Sequence, residues 1–243
     1  MPLRVATYNV HRCRGLDGRV RPDRIARVLE EVAADVVALQ EVRGRAGDRP
    51  FVDQSLFLAE ALGLELFFAP TRTLGGHPYG NALLTRLPAA HMAHHDLSVA
   101  GLEPRGCQHV DVTWERTPVH VFNVNLGTSY RERRQQGLRL VSDAILLSGR
   151  FAGPRLVLGD FNEWAPGLTT RLLRGHLRSV DVARHLKRRR TYPGVLPFLH
   201  LDHIYHDEAL ELTSLRLHRT RLALLASDHL PLVAEFEQAA KAR

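Results

Sequence analysis

The feature that most restricts how this chain can fold is a recurring one: short apolar runs that each meet an acid, an amide or a histidine. "ATYNV" stops at Asn9, "VVALQEV" at Glu41, and "LVLGDFNE" at Asp160 and Asn162. Asp202 and His203 open "LDHIY", while Asp228 and His229 precede the last apolar run. Such runs read as buried strands. Where strands and helices mix, ligand sites gather at strand ends, because buried strands fix position and loops add chemistry.

The rest of the chain supplies the helices. Residues 3–10 alternate as a strand, and Pro22 and Asp23 mark a helix start. Proline suits the first turn, and a carboxylate suits the positive end of the helix dipole. Ile25, Val28, Leu29 and Val32 then fall on one helical face. "DVVALQEV" completes an opening of strand, helix, strand. "DQSLFLAEALG" predicts a second helix closed by Gly63. Strands are expected over 64–69, 81–84, 107–114 and 118–126, and later around 201–206, 211–218 and 231–237. "YRERRQQGLRLVSDAILLSG" predicts a long surface helix despite Gly137. With no repeat, low-complexity tract or linker, residues 1–243 are expected to form one mixed α/β domain.

Composition excludes several classes. Hydrophobic residues at 44% and charged residues at 24% are ordinary for a globular protein of 243 residues, and nothing reads as disordered. No stretch of about 18 apolar residues could span a bilayer. The start, "MPLRVATYNV", lacks the basic, apolar and cleavage regions of a signal peptide, so a cytoplasmic location is expected. Cys13 and Cys107 are too few for a disulfide framework and read as free or buried thiols. The net charge of +7, mostly from arginine, attracts phosphates but also simply keeps proteins soluble.

Taken singly, each polar strand end has an ordinary explanation in a turn or a solvated surface. Together, Asn9, Glu41, Asp160, Asn162 and Asp228 make an oxygen-rich set with a histidine added. Hard oxygen ligands suit Mg2+ or Mn2+, and such an ion suits phosphate chemistry, where it neutralises developing charge.

With "TYNV", "LQEV", "YGNALLTRLP", "FNVNLG", "GDFN", "LDHI" and "SDHLP" in this order, the chain resembles the endonuclease/exonuclease/phosphatase superfamily over essentially its whole length. That family includes deoxyribonuclease I, exonuclease III-type enzymes, sphingomyelinases and inositol-polyphosphate 5-phosphatases. The resemblance implies a four-layer α/β sandwich, two packed mixed sheets flanked by helices, with the active site at one end. It also implies roles: Glu41 as the main metal-binding carboxylate with Asn9 beside it, and Asp228 as a further metal ligand or supporting acid. Asp160 and Asn162 would position the attacking water and the phosphate. His229 would be the base or the phosphate contact, oriented by Asp202. Asp228 and His229, adjacent on an extended segment, would face the metal and the scissile phosphate respectively.

One position departs from the pattern. Where many relatives carry a phosphate-binding histidine, this chain has Asn125, whose amide can donate a hydrogen bond but carries no charge. Asn81 and Arg105 are expected at the edge of the site as substrate contacts. Lys187 to Arg190 form a basic run that reads as a solvated face or a polyanion-holding loop. His91, His94 and His95 read as loop or surface histidines, and the spacing of His200, His203 and His206 does not suit a three-histidine metal site. "LGGHPYG" lacks the ending of a nucleotide-binding loop.

The reading favoured on this footing is a monomeric Mg2+- or Mn2+-dependent phosphodiesterase that cleaves DNA or RNA by in-line attack of activated water. A phospholipid, sphingomyelin-type or inositol-phosphate esterase is the runner-up, because specificity sits in variable loops. A catalytically inactive polyanion-binding module is the reading from another class. It is disfavoured because Glu41, Asp160, Asp202, Asp228 and His229 are all present.

Overall fold

Two six-stranded sheets stack face to face, and each has a single parallel pair at its middle. The computed structural model describes residues 1–45, 52–180, 191–192 and 199–240. In the first sheet β1 (Leu3–Asn9) runs parallel to β2 (Val36–Arg43). The strand order there is β11-β12-β1-β2-β4-β3, completed by β3 (Glu65–Leu74), β4 (His77–Thr85), β11 (Leu210–Leu217) and β12 (Leu232–Gln238). In the second sheet β7 (Thr117–Asn125) runs parallel to β8 (Arg155–Asp160). The order is β5-β6-β7-β8-β10-β9, with β5 (Ala89–Asp96), β6 (Gly106–Trp114), β9 (Arg178–Ser179) and β10 (Asp202–His206). All other neighbours pair antiparallel.

Strand alternation makes the layers. Val119 and Val121 of β7, Leu156 and Leu158 of β8 and Ile204 of β10 face the first sheet. Their neighbours Phe122, Val124, Val157 and Tyr205 face outward into a second apolar cluster. Burying one such Val or Leu stabilises the fold by about 1.5–3 kcal/mol, so a one-residue slip of any central strand is prohibitive. Helices α1 (Pro22–Val32), α2 (Gln54–Leu62) and α5 (Arg221–Ala226) pack on the first sheet's side. Helices α3 (Tyr130–Leu140) and α4 (Leu168–Arg174) cover the outer face of the second. The result is the four-layer α/β sandwich.

Local chemistry sets the helix ends. Pro22 opens α1, and Asp53, Ser129 and Thr220 cap α2, α3 and α5 through side-chain oxygens that accept the backbone N–H three residues on. Each such cap stabilises by about 1 kcal/mol. Gly63 ends α2 at φ 63°, the left-handed conformation that favours glycine.

Three details differ from the sequence expectations. The helix expected to run through "SDAILLSG" stops at Leu140. Ser142 Oγ donates to Arg139 O (2.7 Å), and Ile145 and Leu146 fold back to bury themselves in the outer cluster. Burial of two apolar side chains outweighs continued helix there. The strands expected at 64–69 and 81–84 extend into the β3–β4 hairpin, ending at Leu74 and starting at His77. The "HMAHHD" segment, read as loop, is the edge strand β5. Its polar composition suits an edge, where one side of the backbone is unpaired. Both cysteines are buried free thiols.

Between the sheets, close to the strand ends, lies a line of buried amides. Gln40 Nε2 donates to Asn123 Oδ1 (2.8 Å), and Asn123 Nδ2 reaches Leu39 O (3.0 Å), Ala82 O (3.1 Å) and Gln108 Oε1 (3.1 Å). These bonds tie β2, β4, β6 and β7 into one body.

Candidate active site

The two parallel pairs end at the same rim. Asn9 is paired with Gln40 in one sheet and Asn125 with Asp160 in the other, while Asp202 lies opposite Asp160 on β10. A cleft of about 460 Å³ opens there, lined by Asn9, Glu41, Asp160, Asn162, Asp228 and His229 among others.

Asn9 is the hinge of the arrangement. Its Nδ2 donates to Glu41 Oε1 (3.1 Å) and to Asp160 Oδ2 (3.0 Å), so one amide holds a carboxylate from each sheet. Its Oδ1 accepts the His11 N–H (3.0 Å), so Asn9 presents the acids with its nitrogen. Its backbone carbonyl accepts Ser227 Oγ (2.8 Å), which draws the "SDHLP" segment to the end of β1.

Glu41 reaches the rim because β2 is irregular. Pairing with β4 shifts between Leu39 and Val42, and Glu41 sits at φ 62°. A left-handed residue with a side chain costs about 1–2 kcal/mol, and a bulge re-aims the side chain it carries. Tyr79 stands beside it. Burial, and next the Glu41 carboxylate, push the Tyr79 pKa well up, so this phenol remains a neutral donor.

Asp160 ends β8 after Gly159, where φ is 149° and a Cβ would meet Val124 O at 2.0 Å. Only glycine lets β7 and β8 approach closely enough to place the acid. Asp160 Oδ1 accepts the Asn162 N–H (2.9 Å), and Asn162, at φ 49°, turns its Nδ2 to Leu126 O (2.9 Å). Burial, above all, pushes the Asp160 pKa up to about 6, with His229 acting against it.

His229 completes the floor. Its Nδ1 is 3.0 Å from Asp202 Oδ2, and its Nε2 stands 3.9 Å from Asp160 Oδ2. A carboxylate only accepts, so Nδ1 carries the proton and Nε2 faces the cleft. Burial works against the imidazolium, but Asp202, Asp160 and Asp228 outweigh it and raise the His229 pKa to about 10. Asp202 is fully buried behind the ring; despite burial, His229 holds its pKa low. Tyr192 packs on His229 with ring centroids 4.8 Å apart. Asp228 lies part-exposed beside His11 Nδ1 (3.4 Å), and it lines the same cleft as His229 rather than a separate face.

Of the expected substrate contacts, Arg105 lines the cleft, 3.5 Å from Glu103, which also pairs with Arg72 (3.0 Å). Asn81 does not. It is buried between the sheets, where its Nδ2 donates to Asn123 O (3.2 Å) and Gly106 O (3.4 Å), so its amide joins strands instead of edging the site. Asn125 is buried at the end of β7 without lining the cleft, and its Oδ1 has no partner among the described residues. The Lys187–Arg190 run lies outside the described residues. His203 and His206 face opposite sides of β10, toward Phe161 and Phe236, so they share no site.

Sequence reasoning missed His11, Arg12, Arg72, Tyr192 and Trp164 as cleft residues. His11 and Arg12 directly follow "TYNV", and Trp164 follows "GDFNE", so adjacency to a motif was the available signal. Arg72 and Tyr192 carry no local signal. Trp164 is 57% exposed with the Arg133 guanidinium 5.2 Å from its ring, an aromatic face at the mouth of the cleft.

The hard carboxylate oxygens of Glu41 and Asp228, which line the same cleft, are a donor set that fits Mg2+ or Mn2+. The model of a family described as "Endonuclease/Exonuclease/phosphatase family" matches residues 6–229. The Escherichia coli (strain K12) protein YbhP, described as uncharacterized, is 30% identical over 248 residues, covering 96% of this chain and 95% of that protein. The crystal structure of an endonuclease/exonuclease/phosphatase from Beutenbergia cavernae superposes with a TM-score of 0.78 at 23% identity, over 98% of this chain and 72% of that one. A mannosyl-6-phosphatase from Bacteroides thetaiotaomicron gives 0.77 at 18% identity, over 97% and 99%.

Proposed function

The chain belongs to the endonuclease/exonuclease/phosphatase family, whose members are phosphoester hydrolases, and from that premise we propose that it hydrolyses phosphodiester bonds in DNA or RNA with the help of Mg2+ or Mn2+. The observation that carries this reading is the bridge made by Asn9, which holds Glu41 and Asp160 together beside the Asp202–His229 pair. Glu41 would hold the ion, with Asp228 at the rim and Asn9 keeping Glu41 and Asp160 in place. When bound, the ion supplies charge stabilisation for the phosphate oxygens.

The protein's own groups do the rest. Asp160, fixed by Asn9 and by the Asn162 N–H, orients the attacking water and accepts its proton. His229, held as an imidazolium by the acids around it, donates from Nε2 to a phosphate oxygen, while its Nδ1–H donates to Asp202, which fixes the orientation of the ring. The 3.9 Å between Asp160 Oδ2 and His229 Nε2 is too long for a direct hydrogen bond and leaves both groups available to a third. Asn125, where many relatives carry histidine, is buried and does not line the cleft, so no phosphate contact is assigned to it. Arg12, Arg105 and Trp164, all lining the cleft, suit a substrate that offers phosphates and bases. The net charge of +7 favours its approach.

The test is a metal-dependent activity screen over DNA, RNA, abasic DNA, phospholipids and inositol phosphates. Turnover of nucleic acid should require Mg2+ or Mn2+ and fall at least about a hundredfold in both Glu41→Ala and His229→Ala. Undiminished turnover in both variants would mean that the chemistry happens elsewhere. Metal-dependent turnover of a lipid or inositol phosphate alone would keep the site and replace the substrate.

A further inference from the structure

Away from the cleft, the outer face of the second sheet carries a compact set of side chains that phosphoester hydrolysis does not use. His109 and Asp111 are two apart on β6 and so share a face, and His120 of β7 lies directly opposite Asp111. Asp111 Oδ1 is 2.7 Å from His109 Nε2 and 2.5 Å from His120 Nδ1. One donor atom from each of the three lies within 4.8 Å of the others. They line a cavity of about 200 Å³ together with His95 of β5, Arg150 and Phe151, and none of these residues lines the catalytic cleft. The His95 ring stacks 6.2 Å from that of His109.

We propose that His109, Asp111 and His120 bind a transition-metal dication of the Zn2+ type, at a site separate from the catalytic one. Two imidazoles and one carboxylate are a nitrogen-rich set, suited to Zn2+ and its first-row neighbours, whereas Mg2+ selects oxygen. Hydrogen bonding alone leaves the cluster incomplete. His120 is buried, with a side chain 7% exposed, and its Nε2 has no hydrogen-bond partner among the described residues. A polar atom left so costs about 1–3 kcal/mol, and with Nδ1 turned to the ion, Nε2 would carry the ring's proton to a bound water in the cavity. Donors around a tetrahedral ion with bonds of 2.0–2.1 Å stand about 3.3 Å apart, so binding spreads the present contacts by several tenths of an ångström. Asp111, 25% exposed, is free to make that move, while the two histidines are fixed by packing, His109 flat against Phe122 at 4.2 Å. His95 stands where a fourth ligand could approach. Arg150 at the wall opposes a bare cation, and its Nε donates to Ser148 Oγ (3.0 Å). Once bound, the ion would clamp β6 to β7 on the outer face.

The experiment is calorimetric titration of the full chain with Zn2+ in a large excess of Mg2+, for the wild type and for His120→Ala, Asp111→Asn and Glu41→Gln. One Zn2+ per chain should bind in the wild type and in Glu41→Gln, and affinity should fall at least about tenfold in His120→Ala and Asp111→Asn. Co2+ should give visible ligand-field bands in the first pair and lose them in the second. Thermal unfolding without metal shows whether each variant is folded. Should His120→Ala not fold, Asp111→Asn, which exchanges one oxygen for an amide nitrogen, decides the matter alone. Equal Zn2+ affinity in the wild type and Asp111→Asn would overturn the proposal, as would loss of the site in Glu41→Gln, which would place the ion in the catalytic cleft.

Discussion

At the scale of single residues, the site is held by groups whose backbone or burial is costly in isolation. Glu41 is the clearest, a side-chain-bearing residue at φ 62° within a bulge, its carboxylate facing that of Asp160 across one amide. Such strain persists where the surroundings enforce it, and it belongs to function more than to stability. Glu41→Gly should therefore separate the two properties. It removes the left-handed penalty and one of two facing charges, so the metal-free protein should gain about 1 kcal/mol while hydrolysis is lost. Urea denaturation midpoints and the activity assay read the two effects independently. A destabilised variant would show that the bulge is held by the Glu41 side chain and not by strand pairing.

At the scale of elements, the seam of amides between the sheets matters as much as the apolar core. Asn123 is fully buried and serves β2, β4 and β6 at once. Asn123→Leu keeps the branching of the side chain but strands several acceptors, among them Leu39 O and Ala82 O, so the fold should lose about 3 kcal/mol. Chemical denaturation measures it, and a loss below about 1 kcal/mol would mean that the carbonyls find other partners. This seam was not legible in the sequence. Gln40 and Asn123 sit inside the same short motifs as Glu41 and Asn125, and nothing in one dimension says that the first of each pair points inward to the facing sheet. Strand ends were legible, because apolar runs stop at Asn9, Glu41 and Asp160. Asn81 misled for the same reason that Gln40 was overlooked: a polar residue in a strand pattern looks like a surface group until a second sheet covers it. The layering of two sheets came from resemblance, since periodicity specifies neighbours along the chain and not which sheet they join. Helix α3 was read too long because Ile145 and Leu146 keep helical spacing while folding back.

For the whole molecule, pH should act through buried histidines as well as through the site. Burial lowers the pKa of His203 and His206 below the ordinary histidine value near 6.5. Below about pH 6.5 the unfolded chain takes up protons that the folded one refuses, so stability falls as pH drops through 6.5 toward the folded values. Denaturation midpoints should decline between pH 7.5 and 5.5, and His206→Gln should flatten that slope. An unchanged slope in this variant and in His203→Gln would place the titrating groups elsewhere.

The order of strands carries a consequence for folding. The first strand made, β1, is wedged between β2 and the last, β12, with Leu3 paired to Phe236, and the Ser227–His229 stretch reaches Asn9 only through that closure. Until β12 has paired with β1, every carboxylate from Glu41 to Asp202 is in the chain, yet neither the imidazole nor the zipper that brings it home is in place. Hydrolytic power would then switch on in one step, when β12 closes against β1.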